Sequence, residues 1–369
     1  MIQSQVVADS INQQGDRITT ILCTYPRIIH SEVMTHRMLS KNSASSRAIP
    51  FNKMVKSVED NPFIPIAWQK QHSGMQGTEY ENKQWRLDQL NDEWLNARNK
   101  AIDCAINLGD DVTKQIRNRL LEPFMYHTVL ITGTDDGWNN FFSLRCPQYT
   151  DCGMIFKSKI DYLKKISTFQ EYTHLEWLQI NKGQSEIHIM ALAESIWDSM
   201  NESKPKLLQS GEYHIPFKNK IDTEKCKKIL LKQLTEKGEI YDTLEENKWI
   251  EEINKIKIKV ASGFAARTSY TVINDEKEIS YETLINIHDK CFEQNHWSVF
   301  EHCAKVMSND EYNSFIKGNI HDFADKSLQK EIKESYGKTF IIGEVTDEKL
   351  GWCNNLKGFI QYRYMLENK

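Results

Sequence analysis

The sequence predicts an α+β protein, because patterns typical of strands and patterns typical of helices both occur along it. The run TVLIT (128–132) is rich in β-branched residues, and a second strand-like apolar run is ITTILCTY (18–25). The segment 85–109 places Leu87 and Leu90 among apolar residues at helical spacing. A chain of 369 residues with 40% hydrophobic content can bury a sizeable core, in one elaborated domain or two.

Taken in order, residues 1–51 are predicted to form a strand, a helix and a polar loop. The helix is expected in PRIIHSEVM (26–34), and the polar loop is THRMLSKNSASSR (35–47). Further on, GTDDG (133–137) is typical of a turn, and WNNFFSLR (138–145) has apolar residues at helical spacing. In the helix of segment 85–109, the tryptophans are expected to lie in the core.

The polar loop is the most informative stretch of the chain. Within thirteen positions it contains one imidazole, two guanidiniums, four serine hydroxyls and one asparagine. Arg37 and Arg47 can offer planar, charge-assisted donors to phosphate oxygens, and the serines and Asn42 supply short donors. Such segments are usually solvated loops, but here the flanks are apolar on both sides, including AIPFNKMV (48–55). The composition therefore favours a site for a small anionic ligand.

This loop resembles the signature of the flavin-dependent thymidylate synthases, the ThyX family, which reads Arg-His-Arg and then Ser, Asn, Ser and Arg at fixed spacings. The chain departs from the signature at Thr35, where the family has its first Arg and makes a flavin contact. The positions that match are His36, Arg37, Ser40, Asn42, Ser45 and Arg47.

A second resemblance covers residues 118–145. Arg119 stands where the family has an arginine that reaches the nucleotide phosphate, and Arg145 closes the W-x-x-F-x-x-x-R pattern that contacts the pyrimidine ring. Asp136 stands where the family often has a further flavin-contacting arginine. After a long link (147–183), which is expected to form its own structure, the family pattern resumes with Glu186 as the matched acid.

Two more family segments occur out of order. AARTSY (265–270) and HWSVFEH (296–302) follow the Arg/Ser signature here, whereas they precede it in the family, and Val299 replaces a proline. The C-terminal GWCNNLKGFIQYR (351–363) resembles a family helix that precedes the signature. A fold whose termini lie close together can be opened elsewhere, so a permuted or duplicated and trimmed domain is expected. The residues carried over from these segments are Arg267, Ser269, His296, Ser298, Glu301 and His302.

The resemblance implies a ThyX-like fold, with a central, mostly antiparallel sheet flanked by long helices and with helical insertions. The expected parts are a first ThyX-like part (1–197), which contains the insertion 147–183, and a second, permuted part (261–369). The Lys- and Glu-rich stretch 198–260 between them is expected to form solvated helices as a peripheral insertion. The polar stretch 304–350 is not covered by the resemblance.

The activity implied by the resemblance is reductive methylation of dUMP at C5, with methylenetetrahydrofolate, FAD and NADPH as cofactors, in a homo-oligomer, with a tetramer favoured. The expected catalytic residues are Arg145, Ser45 and His296. The expected substrate-binding residues are Arg47, Ser46, Arg119, Ser45 and Glu32. The expected cofactor-binding residues are His36, Arg37, Asn42, Ser269, Ser298, Glu301, Asn140 and Glu186.

Composition argues against several other classes of protein. A net charge of −4 and a pI of about 6.3 offer no broad basic face for nucleic acid. Neither a GxGxxG nor a GxxxxGK[ST] motif occurs, and the His and Glu of 296–302 are poorly spaced for a metal. The eight cysteines lack a CxxC pair, no signal peptide is evident and no apolar run has membrane-spanning length. We therefore expect a cytoplasmic protein, or one in the host cytoplasm if a phage encodes it.

Two alternatives stay open. The departures at Thr35, Asp136 and Val299, and Glu32 in place of a common Gln, are compatible with a hydroxymethylase or an enzyme acting on dCMP for modified phage DNA. The reordered segments and the insertions are compatible with a binding protein that kept the fold and lost catalysis.

Overall fold

A computed structural model describes residues 1–369 apart from a few short stretches and one longer segment. The polar stretch 304–350 therefore lies largely outside the described residues, and so do Tyr270 and Gln184 of the family-like segments. The residues left out are 75, 76, 78, 167–170, 182, 184, 237–245, 270–278, 318–348 and 369.

Twelve strands are present in the described residues. They are β1 (Gln3–Ile11), β2 (Arg17–Pro26), β3 (Ser40–Ser43), β4 (Tyr126–Thr134), β5 (Tyr149–Asp151), β6 (Met154–Phe156), β7 (Lys206–Leu207), β8 (Tyr213–His214), β9 (Ala304–Val306), β10 (Trp352–Cys353), β11 (Leu356–Lys357) and β12 (Phe359–Gln361).

The α-helices vary from one turn to more than six turns. They are α1 (His30–Met34), α2 (Phe51–Asp60), α3 (Gln84–Asn107), α4 (Lys114–Arg117), α5 (Asp135–Arg145), α6 (Lys159–Ile166), α7 (His174–Ile180), α8 (Ile187–Glu202), α9 (Thr223–Glu236), α10 (Glu246–Arg267), α11 (Tyr281–Glu293), α12 (Asn309–Ser314) and a C-terminal helix (Tyr362–Glu367).

The central sheet has five strands in the order β3-β4-β2-β1-β7. All neighbouring pairs are antiparallel except β1 and β7. Residues alternate between the two faces, so Ile21 and Ile131, which are paired in register, pack on α5 and α8. On the opposite face, Leu130 packs with Phe300. The predicted α+β class, with a mostly antiparallel central sheet beside long helices, is confirmed.

The segment GTDDG is not a turn. Strand β4 continues through Thr134, and α5 begins at the next residue. The glycines allow close packing instead. A Cβ at Gly133 would lie 2.4 Å from Cδ2 of Leu39, and a Cβ at Gly137 would lie 3.0 Å from the Met38 carbonyl oxygen. These two glycines let the segment before β3 lie directly on the junction of β4 and α5.

The C-terminal segment 351–363 was expected to be a helix, and this expectation is wrong. It forms the β10–β11 hairpin and β12, and only the last turns of the chain, from Tyr362, are helical. Gly351, Asn354 and Gly358 have φ values of 76°, 55° and 77°, which interrupt a right-handed helix. Strand β12 pairs with β9 and completes a three-stranded sheet with β8.

The helix predicted within 85–109 is confirmed as α3. Trp94 is half-buried and packs against the core, as expected, and its Nε1 donates to the Phe63 carbonyl at 2.6 Å. Trp85 is 66% exposed, so the expectation that both tryptophans are buried is wrong. Trp85 occupies the first turn of the helix, before the apolar stripe meets the rest of the protein.

The link 147–183 forms its own structure, as predicted. The β5–β6 hairpin and helices α6 and α7 enclose a small aromatic core in which Tyr149, Tyr162 and Trp177 are buried. Across the described ranges, no helix is both long enough and apolar enough to cross a membrane.

Candidate functional site

The polar segment 35–47 is positioned by the edge of the central sheet. It was predicted to be a loop, but Ser40–Ser43 form strand β3, which pairs with β4 so that Ser40 lies opposite Thr132 and Asn42 opposite Leu130. Ser40 and Asn42 are buried, whereas Lys41 between them is half-buried. The strand thus divides the polar side chains between two environments.

Asn42 is the centre of the first of these environments. Its Nδ2 donates to the Ala265 carbonyl and, at 3.3 Å, to the Ser269 hydroxyl. Its Oδ1 accepts from the hydroxyls of Ser298, at 3.2 Å, and Ser269, at 3.4 Å. The Ser45 amide donates to the Ser269 carbonyl at 2.8 Å. We call Asn42, Ser269 and Ser298 the Asn42 cluster.

The Asn42 cluster joins three segments that are remote in sequence. Asn42 is 227 positions from Ser269 and 256 positions from Ser298. Their order along the chain differs from that of the family they resemble, yet one chain brings them into hydrogen-bond contact. The structure therefore unites the polar residues of segments 35–47, 265–269 and 296–302.

Arg145 and His36 form the second environment. Arg145 is the last residue of α5; its Nε donates to His36 Nε2 at 3.0 Å, and its Nη1 donates to the Ser185 hydroxyl at 2.8 Å. His36 is buried, and its ring and that of Phe141 pack in a T-shaped arrangement. Burial, with the positive charges of Arg145 and Lys41, lowers the pKa of His36 to about 4. The ring is therefore neutral at pH 7, and it accepts at Nε2.

Lys41 is a polar residue of this environment that sequence reasoning missed. Its Nζ donates to the His36 carbonyl oxygen. Burial lowers the pKa of Lys41 to about 8, while the carboxylate of Glu301 acts in the opposite direction. The available signal was its place in the polar segment, next to Asn42.

A third group surrounds the carboxylate of Glu122. The Ser46 hydroxyl donates to Glu122 Oε1, and Arg119 Nη1 lies 3.9 Å from the same oxygen. Arg27 Nε lies 3.9 Å from Oε2. Asn118 fixes the backbone of this loop, because its Nδ2 donates to the Ser46 carbonyl at 2.6 Å. Arg27 and Glu122 were not predicted, although Glu122 lies three positions after Arg119 in the matched segment.

Glu301 and its neighbours lie at the junction with the C-terminal helix. Glu301 forms an ion pair with Arg363 Nη1 at 2.7 Å. His302 is buried, and its Nδ1 lies 2.8 Å from the Thr132 hydroxyl. His296, which was expected to be catalytic, is exposed where the chain enters a 3₁₀ helix at Trp297.

Several other predicted residues lie on separate elements. Glu186 is the N-cap of α8, where its carboxylate accepts from the amide of His188 at 2.8 Å. Asn140 is exposed on α5, and Glu32 on α1 accepts from the Ser31 hydroxyl at 3.2 Å. No hydrogen bond found in the described part of the chain joins these side chains to the Asn42 cluster.

Three arginines are the remaining predicted residues, two of them exposed and Arg267 half-buried. Arg37 and Arg47 lie on either side of β3 and are exposed, and Arg267 ends α10 close to Ser269. Exposed guanidiniums such as those of Arg37 and Arg47, near serine hydroxyls, suit an anionic ligand. Among the residues that the structure describes, no group of three His, Cys, Asp or Glu side chains could hold a metal ion.

No protein-family model matches the chain, and no match is found among curated proteins. Among solved structures, the UMP/dUMP methylase PolB from Streptomyces cacaoi with 5-Br dUMP aligns over 50% of this chain and 66% of its own, at 15% identity and a TM-score of 0.36. The same protein with 5-Br UMP aligns over 42% of this chain and 81% of its own, at 17% identity and a TM-score of 0.34. At these TM-scores the likeness assigns no function to this chain.

Proposed function

We propose that the chain is an enzyme that methylates dUMP at C5, with methylenetetrahydrofolate as carbon donor and FAD, reduced by NADPH, as hydride source. The observation that supports this most is the Asn42 cluster, which joins the separate segments that carry the family resemblance. If the resemblance of these three short segments were accidental, there would be no reason to expect contacts between them in the folded protein. Their contact is the expected consequence of a site that was kept while the chain order changed.

The phosphate of the nucleotide would bind at the loop after β3. Ser45 and Ser46 offer hydroxyls, and the guanidiniums of Arg47 and Arg119 are exposed, with the Arg119 side chain 53% accessible. An arginine presents two parallel donors to a phosphate, and such charge-assisted bonds are stronger than neutral ones. This loop is therefore our candidate phosphate subsite.

Arg145 would contact the pyrimidine ring. Its partners in the described structure, the neutral His36 ring and the Ser185 hydroxyl, carry no negative charge. The positive charge of Arg145 therefore stays available for a ligand. A guanidinium only donates, so it suits the carbonyl oxygens that uracil presents at C2 and C4, and polarising them increases carbanion character at C5.

The residues of the Asn42 cluster fit a flavin in chemical type. Two hydroxyls and an amide suit the hydroxyl-rich linker of FAD, and Arg37 offers an exposed cation for its phosphates. FAD, when bound, supplies the hydride. The residues of this chain bind, orient and neutralise charge. Glu186 and Asn140 lie on other elements, whereas Glu301 directly follows the 3₁₀ helix that holds Ser298, and we propose that all three complete the site across a homotetramer.

We propose catalytic roles for His296 and Ser45 as well. His296 is exposed, so it can meet a ligand or a neighbouring protomer without opening the core. Ser45 is half-buried beside the Asn42 cluster, to which its amide is tied.

The proposal is tested by turnover with added FAD, NADPH and methylenetetrahydrofolate, using dUMP or dCMP as substrate and the mass of the product as readout. A methyl gain on dUMP that is lost in Arg145→Gln supports it. The matched control is Arg86→Gln, which removes a charge from α3 and should leave turnover unchanged. Turnover of dCMP alone, or a hydroxymethyl gain, would instead favour an enzyme of modified-DNA synthesis. If the protein takes up no FAD, the result would favour a binding protein that kept the fold and lost catalysis.

A further inference from the structure

The carboxylate of Glu122 occupies the position in the phosphate subsite where an anion is expected. It accepts the hydroxyl proton of Ser46, and two guanidinium groups lie beside it. The distance to each guanidinium is 3.9 Å, longer than a hydrogen bond, so neither arginine is docked on the carboxylate. The Glu122 carboxylate therefore occupies the space between the Ser46 hydroxyl and the Arg119 guanidinium. It forms no hydrogen bond with Arg119 or Arg27.

A phosphate cannot join this arrangement unchanged. To contact both Ser46 and Arg119, its oxygens must approach the atoms that already surround Oε1 of Glu122. Two negative groups at such short range repel each other, and the side chain of Glu122 is only 20% exposed, so water screens this repulsion poorly. Either the carboxylate moves or the phosphate binds weakly.

Arg27 offers the carboxylate a second position. Its Nε is already 3.9 Å from Oε2 of Glu122, and its Nη1 is buried without a hydrogen-bond partner among the described residues. A buried donor without a partner costs free energy, and a carboxylate that moves onto it regains a charge-assisted bond. A rotation of the Glu122 side chain towards Arg27 would release both Ser46 and Arg119.

We propose that Glu122 is a specificity-determining residue of the phosphate subsite: it occupies the anion position in the free protein and moves onto Arg27 when a phosphate monoester enters. This inference rests on the proposed function, which assigns Ser46 and Arg119 to the phosphate. Its consequence is that the native carboxylate competes with the ligand. Removing its charge should therefore strengthen phosphate binding, although a residue of the site is lost.

The test compares wild type, Glu122→Gln and the control Glu59→Gln by isothermal titration calorimetry with dUMP, inorganic phosphate and deoxyuridine. Glu59 is exposed on α2, so its substitution changes the net charge equally. Glu122→Gln should bind dUMP at least about tenfold more tightly, as expected when a ligand no longer displaces a charge-assisted hydrogen bond. Deoxyuridine, which has no phosphate, should bind equally to all three proteins. Unchanged or weaker dUMP binding by Glu122→Gln overturns the proposal.

A double-mutant cycle with Arg27→Gln tests the movement itself. In the presence of Glu122, this substitution removes the second position and should weaken dUMP binding several-fold. In the Glu122→Gln background it should have little effect, because no carboxylate needs that position. If Arg27→Gln weakens dUMP binding equally in both backgrounds, Arg27 binds the ligand directly. This result would overturn the proposed movement of Glu122.

The inorganic phosphate titration separates the two proposals. If inorganic phosphate binds to Glu122→Gln more tightly than to wild type, but dUMP binds to neither protein, the proposed function is wrong. The proposed role of Glu122 then stands. If wild type methylates dUMP but Glu122→Gln does not bind it more tightly, the function stands and the role of Glu122 is wrong. If neither protein binds dUMP or phosphate, both are wrong.

Discussion

Acidification should destabilise this fold through two buried histidines. His214 and His302 are buried on the face of the central sheet where Thr20 and Thr132 meet. His214 Nε2 lies 2.8 Å from the Thr20 hydroxyl, and His302 Nδ1 lies 2.8 Å from that of Thr132. The two hydroxyls are 2.7 Å apart. Protonating either ring would place an uncompensated charge in the core.

The pKa values set the direction and size of the effect. Burial lowers the pKa of His214 to about 4, against the opposing effect of Asp9, and burial with the neighbouring His214 lowers the pKa of His302 to about 3. In the unfolded chain a histidine has a pKa of about 6.5. The unfolded state therefore binds protons first as the pH falls, and stability that is present above pH 6.5 is lost below it.

From pH 6.5 to pH 5, each buried histidine should cost about 2 kcal/mol, since one pKa unit corresponds to about 1.4 kcal/mol. Together, His214 and His302 should lower the free energy of unfolding by about 4 kcal/mol between pH 7 and pH 5. His30 and His36, whose pKa values burial also lowers to about 4, act in the same direction.

The assay is urea unfolding at pH 7 and pH 5, for wild type and for His302→Gln. The variant loses one proton-binding group, so its stability should change by about 2 kcal/mol less than that of wild type over this range. His296→Gln removes an exposed histidine and serves as the control. The reasoning is refuted if wild type is equally stable at both pH values, or if His302→Gln has the same pH dependence as wild type.

Three further predictions concern single side chains. Asn42→Ala should destabilise the protein by about 1–3 kcal/mol in urea unfolding, because the carbonyl and hydroxyls that it bonds lose their partner. Gly133→Ala should lower the melting temperature, since its Cβ would lie 2.4 Å from Cδ2 of Leu39, and overpacking costs about 1–3 kcal/mol; unchanged melting would refute this packing. Arg119→Ala should weaken dUMP binding by about 1.5–3 kcal/mol in calorimetry while FAD uptake, read by absorbance, is unaffected; loss of FAD with normal dUMP binding would show that its role is wrongly assigned.

Much of the fold was predictable where local pattern and burial agree. Strand β4 and helix α3 have β-branched and helical patterns that their packing also requires, so TVLIT and the stripe around Leu90 were assigned correctly. Where tertiary contacts determine the secondary structure of a segment, the prediction from local sequence pattern was wrong. GTDDG has the composition of a turn. In the structure, however, the missing Cβ atoms of Gly133 and Gly137 leave room for Leu39 and Met38, which lie almost a hundred positions earlier in the sequence.

The candidate site shows the same division. The resemblance selected residues that the structure brings together, such as Asn42, Ser269 and Ser298. It gave no reason to select Lys41 or Glu122, because their place in the candidate site comes from contacts with the His36 carbonyl and the Ser46 hydroxyl. Such contacts depend on how β3 and the loop after it are placed, which sequence spacing does not specify.

Transfer of a labelled carbon tests the central claim most directly. The protein is incubated with dUMP, NADPH, FAD and methylenetetrahydrofolate labelled with carbon-13 in its methylene group, and the nucleotide is examined by NMR. We expect the label in a methyl group on C5 of the pyrimidine, with no transfer when FAD is omitted and none with Arg145→Gln. Label that stays in the folate in every reaction, with a protein that binds both FAD and dUMP, would contradict the account.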